Sequence, residues 1–142
     1  MSYGRQPGQG DSWELIEGKW AWGLSAGTNM QYQNGITAKA SGSATVYTQL
    51  PALCAFFSID TCATNGDAVA LPAAVPGTWL TIYNNTATTS LSVYAFQGMN
   101  NGSLNNDTIN NSSNSTAYSI ATHVAVVFFC AKVGQWGAIK SA

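Results

Sequence analysis

Only a few side chains in this sequence could do chemistry, and their spacing limits what it could be. The single histidine, His123, stands at the head of the apolar run "HVAVVFFCA". With Asp107 and one of the 14 serines it could in principle supply a base, an orienting acid and a nucleophile. No G-x-S-x-G turn accompanies them. At the mouth of an apolar strand, His123 reads instead as a hydrogen-bonded structural residue. Glu14 and Glu17 are the one close carboxylate pair; next to Gly18 they read as solvated. The three cysteines, Cys54, Cys62 and Cys130, are odd in number and show no C-x-x-C spacing. Cys54 ("ALCAFF") and Cys130 ("VVFFCA") lie in apolar runs, where a free thiol behaves as a small buried hydrophobe. The glycine-rich "GRQPGQG" lacks both the lysine and the preceding strand of a phosphate-binding loop. The chain therefore reads as no enzyme, with no catalytic residue, no metal ligand set and no cofactor.

What remains is contact chemistry. Residues 1–35 hold seven of the 14 glycines and three of the five tryptophans, Trp13, Trp20 and Trp22, together with the only arginine, Arg5. Glycine at this density opposes a long helix, while "KWAWG" alternates like a short strand with both indoles on one side. The segment reads as an N-terminal arm. Buried aromatic and Arg anchors dominate interface energetics, so Arg5, Trp13, Trp20 and Trp22 are the candidate partner-binding residues.

Composition sets the surroundings of these anchors. The chain has 142 residues, enough for one domain that buries roughly two thirds of its unfolded surface. Charged residues make up only 8%, against about 25% in a typical soluble domain. The surface must be covered by the 14 Ser, 14 Thr, 12 Asn and 7 Gln, which solubilise by hydrogen bonding with little long-range field. A net charge of −1 offers no footprint for nucleic acid or an anionic membrane. No run approaches the ~18 apolar residues of a membrane span, and "MSYGRQPGQGDSW" has no apolar signal core. Synthesis in a cytoplasm is the expectation, and the six N-x-S/T matches read as by-products of Asn, Ser and Thr richness.

From residue 36 the patterns are β. "ATVYTQL", "LCAFFSID", "DAVAL" and "HVAVVFFCA" are short runs rich in β-branched or apolar residues, and "KVG" turns the last of them into "QWGAIK". "TWLTIYN" and "SLSVYAF", joined by the polar "NTATT", alternate strongly and predict a hairpin. The tract Asn100–Thr116 predicts exposed loops around one short strand at Asp107 to Asn110, anchored by Ile109. No segment has a helical apolar period over three turns. The expectation is all-β: a β-sandwich or jelly-roll-like domain over 36–142 with an extended arm over 1–35. Exposed Trp, Tyr and Asn on such a domain would also suit a carbohydrate-binding module, although Trp79 and Trp136 fall in alternating strands that favour packing roles.

The stretch "NGDAVALPAAVPGTWLTIYNNTATTSLSVYAF", followed by "NNDTIN", "AYSI" and "FFCAKVGQWGAI", resembles a β module recurrent in structural proteins of tailed bacteriophages, including head decoration and fibre proteins. Gly66, Asp67, Val69, Leu71, Pro72, Gly77, Leu91, Val93, Tyr94, Asp107, Ile109, Asn110, Cys130, Gly134 and Trp136 fill the places of that pattern, while Asn106 stands where the pattern has Gly. The resemblance covers roughly residues 60–139, and its residues are packing and turn residues. It implies a virion structural protein: a capsid decoration (cement) protein on the outside of the major capsid protein shell, or a head or tail fibre or adaptor component. Closed cyclic oligomers, trimers above all, fit the local three-fold axes of a shell.

Overall fold

A computed structural model describes residues 31–40, 48–52, 55–96, 107–113 and 115–141, and the backbone pairing of four short strands at 13–16, 19–22, 99–100 and 103–104. The chain divides into two compact units, Met1–Met30 and Gln31–Ala142. Tyr32 to Gly35, read with the arm from composition, lie in a strand of the second unit. In the first unit, β1 (Trp13–Ile16) and β2 (Lys19–Trp22) form an antiparallel ribbon.

In the second unit every described element is a strand, so the all-β expectation stands. β3 (Tyr32–Thr37), β5 (Phe56–Thr61) and β7 (Trp79–Asn84) lie side by side and parallel in one sheet. β4 (Thr48–Gln49), β6 (Ala68–Ala70) and β8 (Leu91–Tyr94) do the same in a second sheet. The chain thus alternates between the sheets and winds three turns of a coil. Each turn returns it one strand further along: Tyr32 beside Phe56, Phe56 beside Thr81; Thr48 beside Val69, Val69 beside Val93.

The remaining strands close the last turn. After the small ribbon of β9 (Met99–Asn100) and β10 (Ser103–Leu104) comes β11 (Thr108–Ile109), the short strand expected in the Asn-rich tract. β12 (Tyr118–Ile120) adds antiparallel to β8, and β13 (Ala125–Lys132) adds antiparallel to β7. β14 (Gln135–Lys140) follows β13 through a hairpin in which Gly134 takes a positive φ of 75°, as the "KVG" turn requires. The orders are β11-β14-β13-β7-β5-β3 and β12-β8-β6-β4.

This pairing differs from a sandwich or jelly roll, whose neighbours run antiparallel: five of the eight strand pairs in the two large sheets are parallel. The hairpin expected from Trp79–Asn84 and Leu91–Tyr94 is not formed, because β7 pairs with β5 and β13 while β8 pairs with β6 and β12. Asn84 is the physical reason. It is fully buried, and its Nδ2 donates to the carbonyls of Thr89 (2.9 Å) and Ile120 (3.1 Å) while its Oδ1 accepts from the Thr86 N–H (3.2 Å). "NTATT" is therefore a corner that carries the chain across to the other sheet.

The buried faces of both sheets meet in one cluster, with Phe57, Ile59, Leu80, Ile82, Phe128 and Trp136 from the larger sheet and Val69, Leu91, Val93 and Ile120 from the smaller. Across the layers the Tyr118 and Phe128 rings meet edge to face at 5.7 Å.

Candidate functional site

The titratable residues singled out from sequence do not converge. Among the described residues there is no group of three His, Cys, Asp or Glu that could hold a metal ion. His123, exposed at a φ of 58°, donates its N–H to the Asn84 carbonyl (2.8 Å), and its Nδ1 lies 3.4 Å from the Tyr83 hydroxyl. It precedes β13, whereas Asp107 lies by the Gly134 turn beyond the other end of that strand. Cys62 and Cys130 are free and buried; burial pushes both thiols up, and their sulfurs face the carbonyls of Thr64 (3.2 Å) and Lys132 (3.0 Å). Such thiols are poor nucleophiles. Cys54 lies outside the described residues.

Asp107, Trp136, Pro72, Gly77, Cys130 and Gly134 meet at a structural joint. Asp107 is buried, and its Oδ2 accepts the Ala74 N–H at 2.7 Å. Trp136, wholly buried, donates Nε1–H to the Pro72 carbonyl at 3.3 Å. Gly77 N–H donates to the Cys130 carbonyl (2.9 Å), and Gly134 N–H to that of Ala74 (3.3 Å). The proline loop between β6 and β7 is thereby clasped by β11 and the β13–β14 hairpin. Asp67 stabilises another turn, accepting from the Thr64 hydroxyl (2.7 Å) and the N–H groups of Ala63 and Thr64.

Two surfaces are left with the character of a contact site. One is the ribbon. Its register sets Trp13 opposite Trp22 and Leu15 opposite Trp20, and strand alternation places these four positions on one face, with Glu14, Ile16, Lys19 and Ala21 on the other. Arg5 lies outside the described residues.

The other surface escaped the sequence reading: the outer face of the six-stranded sheet. Pairing aligns Ile139, Val127, Thr81, Phe56 and Tyr32 across β14, β13, β7, β5 and β3, with Phe129 and Trp79 side by side in the next row. Tyr32 is 63%, Ile139 61% and Trp79 48% exposed, and Val127 and Phe129 are exposed beside them. The Phe129 ring lies flat over Gly137, where a Cβ would sit 2.3 Å from its Cζ, so a larger residue there would push the ring aside. The signal was present in "HVAVVFFCA": an apolar run along a strand puts apolar side chains on its outer face as well as its inner one.

Beside Phe129 is a cavity of about 190 Å³ bordered by Asn110, Asn111, Lys132 and Gln135. Asn110 and Asn111 both adopt left-handed backbone, at φ 51° and 61°, and the Asn110 Oδ1 accepts the Ala138 N–H at 2.9 Å.

The chain matches no model of a protein family, and no curated protein matches it significantly by sequence.

Proposed function

We propose that this chain is a structural protein of a tailed-bacteriophage virion: a capsid decoration (cement) protein that binds the outside of the major capsid protein shell and stabilises it. In this reading the N-terminal ribbon grips the shell, the β unit is displayed, and copies assemble as closed oligomers, a trimer matching a local three-fold axis. The finer architecture is a short β-solenoid, β3 to β8, closed by β11 to β14 as a cap, since a coil's last rung needs covering. The observation that carries the reading is the register of β1 and β2, which gathers Trp13, Leu15, Trp20 and Trp22 on one face. A two-stranded ribbon is marginal by itself, and contact with a partner through tryptophans would supply both its stability and its function. A charge-poor composition, with no metal-holding group of His, Cys, Asp or Glu among the described residues, favours attachment over catalysis. The same chemistry serves a head or tail fibre or an adaptor.

Deleting residues 1–25 is expected to leave the β unit folded and to abolish co-sedimentation with shells of the major capsid protein. Undiminished attachment of the deletion variant refutes the role of the ribbon.

The cavity beside Phe129 favours a second reading, a carbohydrate-binding module. A ring face with the amides of Asn110, Asn111 and Gln135 around it suits one sugar ring. Saturable glycan-array signal, lost in Phe129→Ala, would support that reading over attachment to protein.

A further inference from the structure

We propose that the outer face of the six-stranded sheet is an interface between copies of this chain. Its residues are Tyr32, Phe56, Trp79, Val127, Phe129 and Ile139, contributed by β3, β5, β7, β13 and β14. The observation is their alignment: strand pairing brings large apolar side chains from five neighbouring strands to one surface, and five of the six are exposed. Scattered apolar residues on a surface are ordinary, whereas a contiguous patch marks a covered one.

The occupant follows from charge and area. No charged side chain stands among the six. Asp60, at one margin, is bound by its own fold, accepting from Asn85 and Ser58 (both 2.7 Å). Lys132 stands at the opposite margin, at the end of β13. Non-obligate interfaces are as a whole about as polar as ordinary surface, while interfaces between like subunits are more apolar throughout. An uncharged aromatic face also meets another copy of the chain without like-charge repulsion. The five strands that carry these residues, about 4.8 Å apart and about 20 Å long, give a footprint of roughly 500 Å² before the relief of the side chains is counted. A standard interface takes about 800 Å² from each partner. The face supplies the greater part of that, and its rim the rest.

Phe129 and Gly137 set the fit. Because Gly137 has no Cβ, the Phe129 ring lies across β14 and presents its outer surface to the neighbour, next to Trp79. Val127 stands between Ile139 and Thr81 in the long row, next to the row of Phe129 and Trp79.

Light scattering on the purified full-length chain, without shells, tests this. The wild type is expected at a small whole multiple of 14.9 kDa. Val127→Lys, which sets an ammonium between Ile139 and Thr81, is expected to fall towards the monomer mass with unchanged β circular dichroism. Val133→Lys, on the β13–β14 turn and outside the row, is expected to keep the wild-type mass. If Val127→Lys does not fold, Ile139→Lys, at an exposed position of the same row, decides in the same way. A wild type that remains monomeric over a wide concentration range, or a folded face variant that keeps the wild-type mass, overturns the proposal. Mass is read without shells, so this result is distinct from shell attachment: a monomer that still attaches would remove the copy interface and leave the decoration role in place.

Discussion

Ile109 and Asp107 lie in the tract Asn100–Thr116, whose other residues are all uncharged and mostly small and polar. Both are buried, Ile109 in the common core beside Trp136 in the pairing and Asp107 on the Ala74 N–H. Ile109→Asp would bury a carboxylate without a partner and is expected to cost several kcal/mol, which lowers the melting temperature by roughly 10 °C. Unchanged melting would mean that Ile109 packs against nothing. A second residue-scale test is electrostatic. The Thr64 hydroxyl, then the Thr64 and Ala63 N–H groups, hold the Asp67 carboxyl below its ordinary 3.8 against the opposing effect of burial. The Asn85 amide, then the Ser58 hydroxyl and the Gly35 N–H, do the same for Asp60. A carboxylate whose folded pKa is depressed contributes stability that is fully present above its unfolded pKa and is lost as pH falls through the folded one. The melting difference between wild type and Asp67→Asn should therefore be level from about pH 7 to 5 and shrink below about pH 4. A difference that grows in acid contradicts the assignment.

At the scale of elements, alternation in the sequence reports which side chains point inward, and there the reading and the structure agree. "TWLTIYN" is β7 with Leu80, Ile82 and Asn84 buried, and "SLSVYAF" contains β8 with Leu91 and Val93 buried. Alternation carries no information on which strand lies alongside, so a hairpin and a coil corner read alike. What separates them is the buried amide of Asn84, an ordinary turn residue in composition whose bonds reach Ile120, far along the chain. Asn84→Ala would remove the side-chain bonds to the Ile120 carbonyl and the Thr86 N–H, while the Thr89 carbonyl keeps the Thr86 hydroxyl. The expected loss is about 2–3 kcal/mol, read as a lower denaturation midpoint with an unchanged slope; a surface-like loss of a few tenths would mean the corner is held by other contacts. One strand of the ribbon was legible from "KWAWG" because its period is local, while its pairing with Trp13–Ile16 was not. The outer sheet face was not, because the partners of Val127 and Phe129 come from β7 and β14, and only pairing shows that the exposed residues form one surface.

At the scale of the whole molecule, scarcity of charge becomes a property of attachment. With 5 basic and 6 acidic residues in 142, little of the binding free energy can come from long-range fields. Occupancy on shells is therefore expected to change little from low to moderate ionic strength, where screening removes exposed charge pairs first. A steep loss with added salt would point to a charge-driven docking surface instead. Weak contacts repeated over an oligomer gain avidity on a lattice of identical sites, so a face that joins copies would strengthen what each ribbon contributes. The most direct test of the central claim is co-sedimentation of the full-length chain with shells of the major capsid protein, followed over a titration. If the chain decorates shells, binding saturates at a fixed ratio of chain to shell subunits and is lost when residues 1–25 are removed. Wild-type chain that stays in the supernatant at every concentration, with the shells intact, would contradict it.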